Sequence, residues 1–177
     1  MESSNHARGR LFWPVVAVVL VSDLLTKWIA VGELYPRGVP REVLGDVVRL
    51  TLVYNRGAAF GLHLGSYSRW IFLALTVGAL VILWQLYRAT PVRDVMRTLA
   101  IALVSGGALG NLIDRVRGPQ GVVDFLDIGF GDLRWPTFNV ADMAVSTGAI
   151  LLAWVLWGED RARGADGARV AGAQESS

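Results

Sequence analysis

Aspartates and asparagines at the ends of apolar segments are the side chains of this sequence best suited to chemistry. Asn139 and Asp142 lie at the start of the run "FNVADMAVSTGAILLAWVLW", and Asn111 and Asp114 lie at the end of the run "SGGALGNLID". Polar groups in such segments usually face a polar interior or a functional site, because each would otherwise cost several kcal/mol in lipid. The spans and loops derived from hydropathy bring nine such side chains to one end of a helix bundle: Asp23, Lys27, Asn55, Asn111, Asp114, Arg115, Asp124, Asn139 and Asp142.

A pair of carboxylates is the reactive group that this inventory favours. Two carboxylates close together in a weakly solvated site cannot both ionise easily, so they share one proton. The ionised member can activate water while the protonated member donates to a carbonyl oxygen, as in aspartic-type peptide hydrolysis. Other chemistries lack their residues, since the chain has no cysteine and its two histidines, His6 and His63, belong to no triad or H-E-x-x-H motif. A Ser/Lys pair would have to use Lys27, and no motif marks a serine as its partner.

Each polar pair also has a purely structural interpretation. Asp23 and Lys27 are spaced i, i+4, so they can neutralise each other and make their helix insertable. Asn139 followed by Asp142 is a plain N-capping arrangement that also suits the helix dipole. The convergence of so many polar residues at one end favours a functional site over these separate explanations.

The composition is typical of a membrane protein. Of 177 residues, 53% are hydrophobic and 18% are charged. A helix needs about 20 residues to cross a hydrocarbon core of about 30 Å. Four apolar segments have the length to do so: residues 11–31, 70–87, 96–113 and 138–157. All seven tryptophans lie in or beside these segments near an end, as in interfacial aromatic belts. The net charge of +2 is too balanced to indicate a nucleic-acid partner.

A cleaved signal peptide is the alternative interpretation of the first segment. Arg8 and Arg10 precede the apolar run "LFWPVVAVVLVS", as they would in a secretory signal. The apolar stretch continues past Asp23 and Lys27 without a small-x-small cleavage site, which favours a retained span.

The first and third connections between spans are long and contain strand-like segments. "VVRLTLVYN" in the first and "VVDFLDIGF" in the third are rich in β-branched and aromatic residues, and turn signals flank them. With four spans, both connections lie on the same side of the membrane. The sequence therefore predicts an all-α membrane protein of four transmembrane helices with a small β-structured extracytoplasmic cap.

Orientation does not follow from counting arginines, because eight flank the spans on the side of the termini and eight lie on the side of the long loops. The density of arginine in and beside the short hairpin "RATPVRDVM" favours cytoplasmic termini. We expect residues 1–157 to form one integral membrane domain and residues 158–177, which are small, polar and charged, to form a disordered cytoplasmic tail. Gly106 and Gly110 form a G-x-x-x-G pair that predicts close helix packing.

Five sequence blocks in order resemble the bacterial lipoprotein signal peptidases, also called signal peptidase II. The blocks are "DLLTK" (23–27), "NRGAAFG" (55–61), "GNLIDR" (110–115), "GVVDF" (121–125) and "FNVAD" (138–142). The resemblance runs from about residue 11 to residue 157, and its one departure is a slightly long turn, "RGPQG", before "VVDF".

The resemblance implies a membrane-embedded aspartic endopeptidase of the bacterial inner membrane, with an active site near the outer face and both termini cytoplasmic. Its substrates would be diacylglyceryl-modified prolipoproteins, cut just before the lipidated cysteine, and globomycin-type inhibitors would block it. The implied catalytic dyad is Asp124 and Asp142, with no metal or cofactor. The residues implied to line or support the site are Asn55, Gly57, Asn111, Asp114, Arg115, Asn139, Asp23 and Lys27.

Two other classes of protein remain as alternatives. A small proton-coupled transporter or channel would also place carboxylates in its spans, but it should have polar residues at mid-depth along a path, which most of the second span lacks. A structural membrane subunit would explain the glycine packing and the ion pair, but not the clustering of asparagine and aspartate at one end.

Overall fold

The computed structural model describes residues 2–57 and 67–175, without the side chains of residues 2–8, 162 and 164–175. His63 and residues 58–61 of the block "NRGAAFG" lie outside the described residues. The described elements follow the chain order α1 (Glu2–Glu33), β1 (Arg41–Leu44), β2 (Val48–Asn55), α2 (Ser68–Ala89), α3 (Val95–Arg117), β3 (Val122–Phe130), β4 (Leu133–Arg134) and α4 (Val140–Glu175).

Four of the described helices contain segments long and apolar enough to cross a membrane. These segments are Gly9–Glu33, Ser68–Ala89, Val95–Arg117 and Val140–Arg161. Each contains most or all of one predicted span and extends a few residues past at least one of its ends. The prediction of four spans is therefore confirmed among the described residues.

Helix α3 packs against the other three helices, and its glycines allow two of these contacts to be close. A side chain added at Gly106 would come within 2.9 Å of the Cβ atom of Val19 in α1. A side chain added at Gly107 would overlap the backbone carbonyl oxygen of Ala141 in α4. The predicted close packing thus involves Gly107 as well as the G-x-x-x-G pair.

The lower part of the bundle, on the side of the α2–α3 hairpin, is held by an apolar core. Phe12 and Val16 of α1 pack there with Leu83 and Tyr87 of α2 and Ile101 of α3. The rings of Phe12 and Tyr87 are stacked with centroids 4.1 Å apart. This core leaves the polar residues to the opposite end of the bundle.

The first and third connections form one antiparallel sheet in the order β1-β2-β3-β4, as the cap prediction requires. Strands β2 and β3 coincide with the two predicted strand segments, whereas β1 and β4, with four and two residues, were not predicted. Gly121 precedes β3 with a φ of 99°, and a side chain there would overlap the carbonyl of Asn55. Glycine at this position lets β3 begin directly beside the end of β2.

A second apolar cluster fixes the sheet to the end of α1. Ala30 and Leu34 of α1 pack with Leu52 of β2 and with Val123 and Phe125 of β3. Successive residues of a strand point to opposite faces. With Val123 and Phe125 turned toward α1, the residue between them faces the other way, toward α4.

Helix α4 continues into the tail. The backbone is helical from Val140 to Glu175, whereas the composition predicts disorder from residue 158. The segment "EDRARGADGARVAGAQ" is rich in Ala and Arg, which are good helix formers, and it continues a helix that is already nucleated.

Candidate active site

The first turn of α4 positions Asp142 through a capping box. The backbone N–H of Asp142 donates to Oδ1 of Asn139 at 2.8 Å, and the backbone N–H of Asn139 donates to Oδ2 of Asp142 at 3.3 Å. Asn139 and Asp142 therefore do cap the N-terminus of α4, as the structural interpretation of this pair predicts. It does not exclude a chemical role, because the box holds the Asp142 carboxylate in one orientation with Oδ1 still free to accept another bond.

Strand β3 positions Asp124, the residue between Val123 and Phe125. Its side chain is 2% exposed, and its Oδ1 accepts a hydrogen bond of 2.7 Å from Nδ2 of Asn139. Burial raises the pKa of the Asp124 carboxyl to about 7, and the nearby carboxylate of Asp142 adds to the rise. Hydrogen bonds from Asn55 and Asn139 and the charge of Lys27 oppose it. Asp124 is thus able to hold a proton near neutral pH.

Asn111 of α3 completes the connection between the two carboxylates. Its Nδ2 donates to Oδ1 of Asp142 at 2.8 Å. Its Oδ1 accepts from Nζ of Lys27 at 2.9 Å and from Nδ2 of Asn139 at 3.2 Å. The two aspartates therefore share a hydrogen-bonded support made of two asparagines.

Lys27 lies behind this support in a buried group of charges. Its Nζ is 2.8 Å from Oδ2 of Asp23 and 2.8 Å from Oδ2 of Asp114. Asp23 also accepts a bond of 2.9 Å from the backbone N–H of Ala141, and Asp114 accepts one of 3.2 Å from the backbone N–H of Val123. The predicted i, i+4 pair is present, and it reaches both α4 and β3.

Asn55, Gly57 and Arg115 border the same site. The backbone N–H of Gly57 donates to Oδ1 of Asn55 at 3.0 Å, and the Asn55 side chain is hydrogen-bonded to Asp124. Arg115 donates to the carbonyl oxygen of Asn111 at 3.1 Å and to that of Gly57 at 3.5 Å. A guanidinium here compensates part of the negative charge of the two aspartates.

These residues open onto a cavity of about 1010 Å³ between the sheet and α4. Asn55, Gly57, Asn111, Arg115, Asp124 and Asp142 line it, while Asp23, Lys27, Asp114 and Asn139 support it from behind. A cavity of this size accommodates an extended peptide segment rather than a single ion. No group of three or more His, Asp or Glu in residues 2–57 and 67–175 has an arrangement that could hold a metal.

The other aspartates of the third connection lie away from this cavity. Asp127 accepts bonds from Oγ1 of Thr51 at 3.0 Å and from Nε of Arg134 at 2.5 Å, which ties β2, β3 and β4 together. Asp132 is in the exposed turn between β3 and β4. Of the three aspartates in this connection, Asp124 alone lines the cavity with Asp142.

Part of the cavity wall was not predicted. Residues 135–138 and residues 143 and 145–147 also line it. Trp135 and Phe138 could have been suspected as aromatic residues just before the first turn of α4, but their place follows from a bridge between Phe138 and Leu126 of β3. Residues 143 and 145–147 belong to α4 and line the cavity together with Asp142. Finding them from the sequence would require knowing how that helix is rotated.

Comparison with known proteins places this arrangement in a family. A model of the family described as signal peptidase (SPase) II matches residues 15–158. The chain belongs to the signal peptidase II family. The lipoprotein signal peptidase of Rhodococcus jostii (strain RHA1) is 43% identical over 153 residues, which cover 84% of this chain and 73% of that protein. The lipoprotein signal peptidase of Burkholderia thailandensis is 46% identical over 138 residues, 76% of this chain and 80% of the relative.

Solved structures support the fold. A bacterial membrane enzyme determined by the in meso method at 2.3 Å resolution has a TM-score of 0.70 and 31% sequence identity, over 82% of this chain and 87% of the other. A second, at 1.9 Å resolution, has a TM-score of 0.66 and 32% identity, over 80% and 89% of the two chains. Family membership and the four long apolar helices identify a multi-pass peptidase of the inner membrane.

Proposed function

We propose that this chain is an aspartic endopeptidase that removes the signal peptide from diacylglyceryl-modified prolipoproteins, just before the lipidated cysteine. The observation that carries the proposal is that Asp124 and Asp142 line one cavity and are joined through two asparagines. Asn139 donates to Asp124, Asn111 donates to Asp142, and the two asparagines are hydrogen-bonded to each other. Relatives named lipoprotein signal peptidase, at 40–46% identity, support the choice of substrate.

The chemistry divides between the two carboxyl groups. Asp124, with a pKa of about 7, is the member that holds the shared proton. Ionised Asp142 accepts a proton from water as the water oxygen attacks the scissile carbonyl carbon, and Asp124 donates its proton to the carbonyl oxygen. The tetrahedral intermediate then collapses: the C–N bond breaks, the proton on Asp142 passes to the leaving nitrogen, and one hydroxyl of the intermediate returns its proton to Asp124. The products are the carboxyl end of the signal peptide and the amino group of the lipidated cysteine.

The membrane determines where this chemistry has to be. A diacylglyceryl group holds its protein in the bilayer with about 0.8 kcal/mol for each buried CH₂, so the bond beside the lipidated cysteine stays near the outer interface. Asp142 lies in the first turn of a spanning helix and Asp124 in the sheet above it, which suits a site at that depth. The proposal therefore includes cytoplasmic termini and a site near the outer face.

The test uses detergent-purified protein and a prolipoprotein with or without the diacylglyceryl group. We expect the lipidated precursor to be cleaved and the unmodified precursor to be cleaved at least tenfold more slowly, because the unanchored chain loses the binding energy of its acyl chains. Equal cleavage of both would contradict the assignment.

The class of inhibitor gives an independent test of the mechanism. We expect chelators and thiol or serine reagents to leave activity intact, because the proposed dyad uses none of these groups, and we expect globomycin, a cyclic peptide, to block it. Loss of activity in EDTA would indicate a metal enzyme. Proton or ion flux in proteoliposomes without any peptidase activity would instead support the transporter alternative.

A further inference from the structure

Lys27 is buried beside the proposed dyad without entering the cavity. Its side chain is 3% exposed, and it is absent from the residues that line the cavity. It is also the only lysine among the 177 residues, whose other 16 basic side chains are arginine. A buried cation of this kind is costly unless it is fully paired, so its partners indicate what it does.

Two of its three partners hold backbone beside the aspartates. Asp23 accepts from the N–H of Ala141, the residue before Asp142, and Asp114 accepts from the N–H of Val123, the residue before Asp124. These ion pairs alone give Lys27 a structural role, because they hold the two carboxylates that bind the backbone of α4 and β3.

The third partner is different, because it is an amide whose orientation matters. Nζ of Lys27 donates to Oδ1 of Asn111 at 2.9 Å, which leaves Nδ2 of Asn111 to donate to Asp142 at 2.8 Å. An amide turned by 180° would present its carbonyl oxygen to the carboxylate and its NH₂ group to the ammonium, and both contacts would be repulsive.

We propose that Lys27 is a positioning residue that orients the Asn111 amide, so that the dyad is always offered an N–H donor and never a carbonyl oxygen. The inference rests on the proposed function. Without the donor of Lys27, only the 3.2 Å bond from Nδ2 of Asn139 still holds Oδ1 of Asn111. The amide then turns more readily, and in the turned state the ionised form of the dyad loses a hydrogen bond. Protonation of the dyad then begins at higher pH, and the acid-side limb of its titration moves up by about one pH unit.

Several charged groups face the dyad, and the experiment has to keep them constant. Helix α1 contributes Asp23 and Lys27, helix α3 contributes Asp114 and Arg115, and strand β2 is followed by Arg56 at the cavity wall. Arg69 of α2 is bonded to the carbonyl oxygens of Arg115 and Val116. A variant of Lys27 alone would change the net charge of this set, so a charge-matched pair is needed.

The matched pair is Lys27→Gln and Lys27→Met, both in the Asp23→Asn background. The two proteins have the same net charge and side chains of similar length, and they differ in the amide group of Gln, whose NH₂ can donate to Oδ1 of Asn111 where the Met thioether cannot. The first readout is the titration of the carboxyl C=O band by infrared difference spectroscopy, with the band assigned by its loss in Asp142→Asn. The second readout is the pH dependence of kcat/KM on the lipidated precursor.

We expect the Met variant to titrate about one pH unit above the Gln variant, with KM for the precursor changed less than kcat. Coincident titrations of the two variants would overturn the inference, since a structural role alone predicts no difference between them. If the Met variant does not fold, Asn111→Leu with Lys27 intact is the second test. This change removes the Asn111 N–H donor to Asp142, so the titration must shift in the same way. An unshifted titration overturns the inference. Failure of the wild type to cleave the precursor would contradict the proposed function, whereas the infrared comparison would still test Lys27.

Discussion

At the scale of single residues, the orientation of three asparagine amides decides whether the two aspartates face N–H donors or carbonyl oxygens. Oδ1 of Asn55 accepts from the N–H of Gly57, and Oδ1 of Asn139 accepts from the N–H of Asp142. Oδ1 of Asn111 likewise accepts from Lys27 and from Asn139. Each amide nitrogen is thereby left to face a carboxylate. The residue types are readable from the sequence, but the orientation of an amide depends on neighbours that only the fold supplies.

The first prediction concerns the dyad. Replacing Asp124 or Asp142 by asparagine keeps the size of the side chain but removes the ability to hold or accept a proton. We expect each single change to reduce cleavage of the lipidated precursor by about 10³-fold or more, and the double change to be little worse, because members of a catalytic unit are not additive. Purified yield and thermal unfolding in detergent should remain close to wild type.

Asp127 and Asp132 are the matched controls for that experiment. Asp132→Asn changes an exposed turn and should leave both activity and stability unaltered. Asp127→Asn weakens the bonds to Thr51 and Arg134 and should lower the unfolding temperature, while the folded fraction keeps most of its activity. An inactive Asp127→Asn together with an active Asp124→Asn would show that the wrong face of β3 has been assigned to the site.

The pH dependence follows from the same carboxyl group. With the pKa of Asp124 raised to about 7 by burial and by Asp142, the shared proton is lost as the pH rises through that value. Above it both carboxyls are ionised and none can protonate the scissile carbonyl. We expect kcat/KM to fall about tenfold per pH unit on the alkaline side. A rate that stays constant from pH 6 to pH 9 would contradict Asp124 as the acid.

At the scale of elements, the sequence was sufficient for the long segments and insufficient for the short ones. Hydropathy and β-branched content predicted the four spans and strands β2 and β3, because each of these segments carries its own periodic or compositional signal. Strands β1 and β4 have four and two residues, so their pairing with neighbours determines them. Gly107 was overlooked for a similar reason, since its importance comes from the helix opposite it rather than from the G-x-x-x-G spacing.

Gly107 gives the prediction at this scale. A methyl group at this position would overlap the carbonyl oxygen of Ala141, which is one residue before Asp142. Gly107→Ala should therefore push α4 away from α3, cost about 1–3 kcal/mol of stability, and lower activity more than the loss of folded protein explains. Thermal unfolding and specific activity measure the two effects.

Gly78 of α2 is the control, because no atom lies within 4 Å of a side chain added there. Gly78→Ala should leave activity unchanged and raise helix stability slightly. If both substitutions had the same effect, close packing between α3 and α4 would not be what positions Asp142.

At the scale of the whole molecule, the chain places the polar residues of the proposed site at one end of a bundle, whereas an apolar and partly aromatic core lies toward the other end. Four spans put both long connections on the side away from the termini, and the proposed orientation makes that side extracytoplasmic. The chain has no cysteine, so a single introduced thiol reports the orientation directly.

Leu133→Cys and Val92→Cys form the pair for this test. Leu133 is 84% exposed in the β3–β4 hairpin, and Val92 is 36% exposed in the hairpin between α2 and α3. In spheroplasts, we expect a membrane-impermeant maleimide to label Leu133→Cys at once and Val92→Cys only after permeabilisation. The reverse pattern would place the cavity on the cytoplasmic side and contradict the proposed access of an exported substrate.

The single lysine of the chain has a further consequence for how the folded protein can be probed. An amine-acylating reagent finds this side chain only 3% exposed and paired with two carboxylates, so it reacts there only when α1, α3 and the sheet separate. The acylation rate at Lys27, followed by mass spectrometry, is then set by how often this region opens. Under conditions where reclosing outpaces acylation, that rate gives the free energy of local opening at the active site itself. The position that orients the amide is thus also a natural label for unfolding of the site, with no residue added.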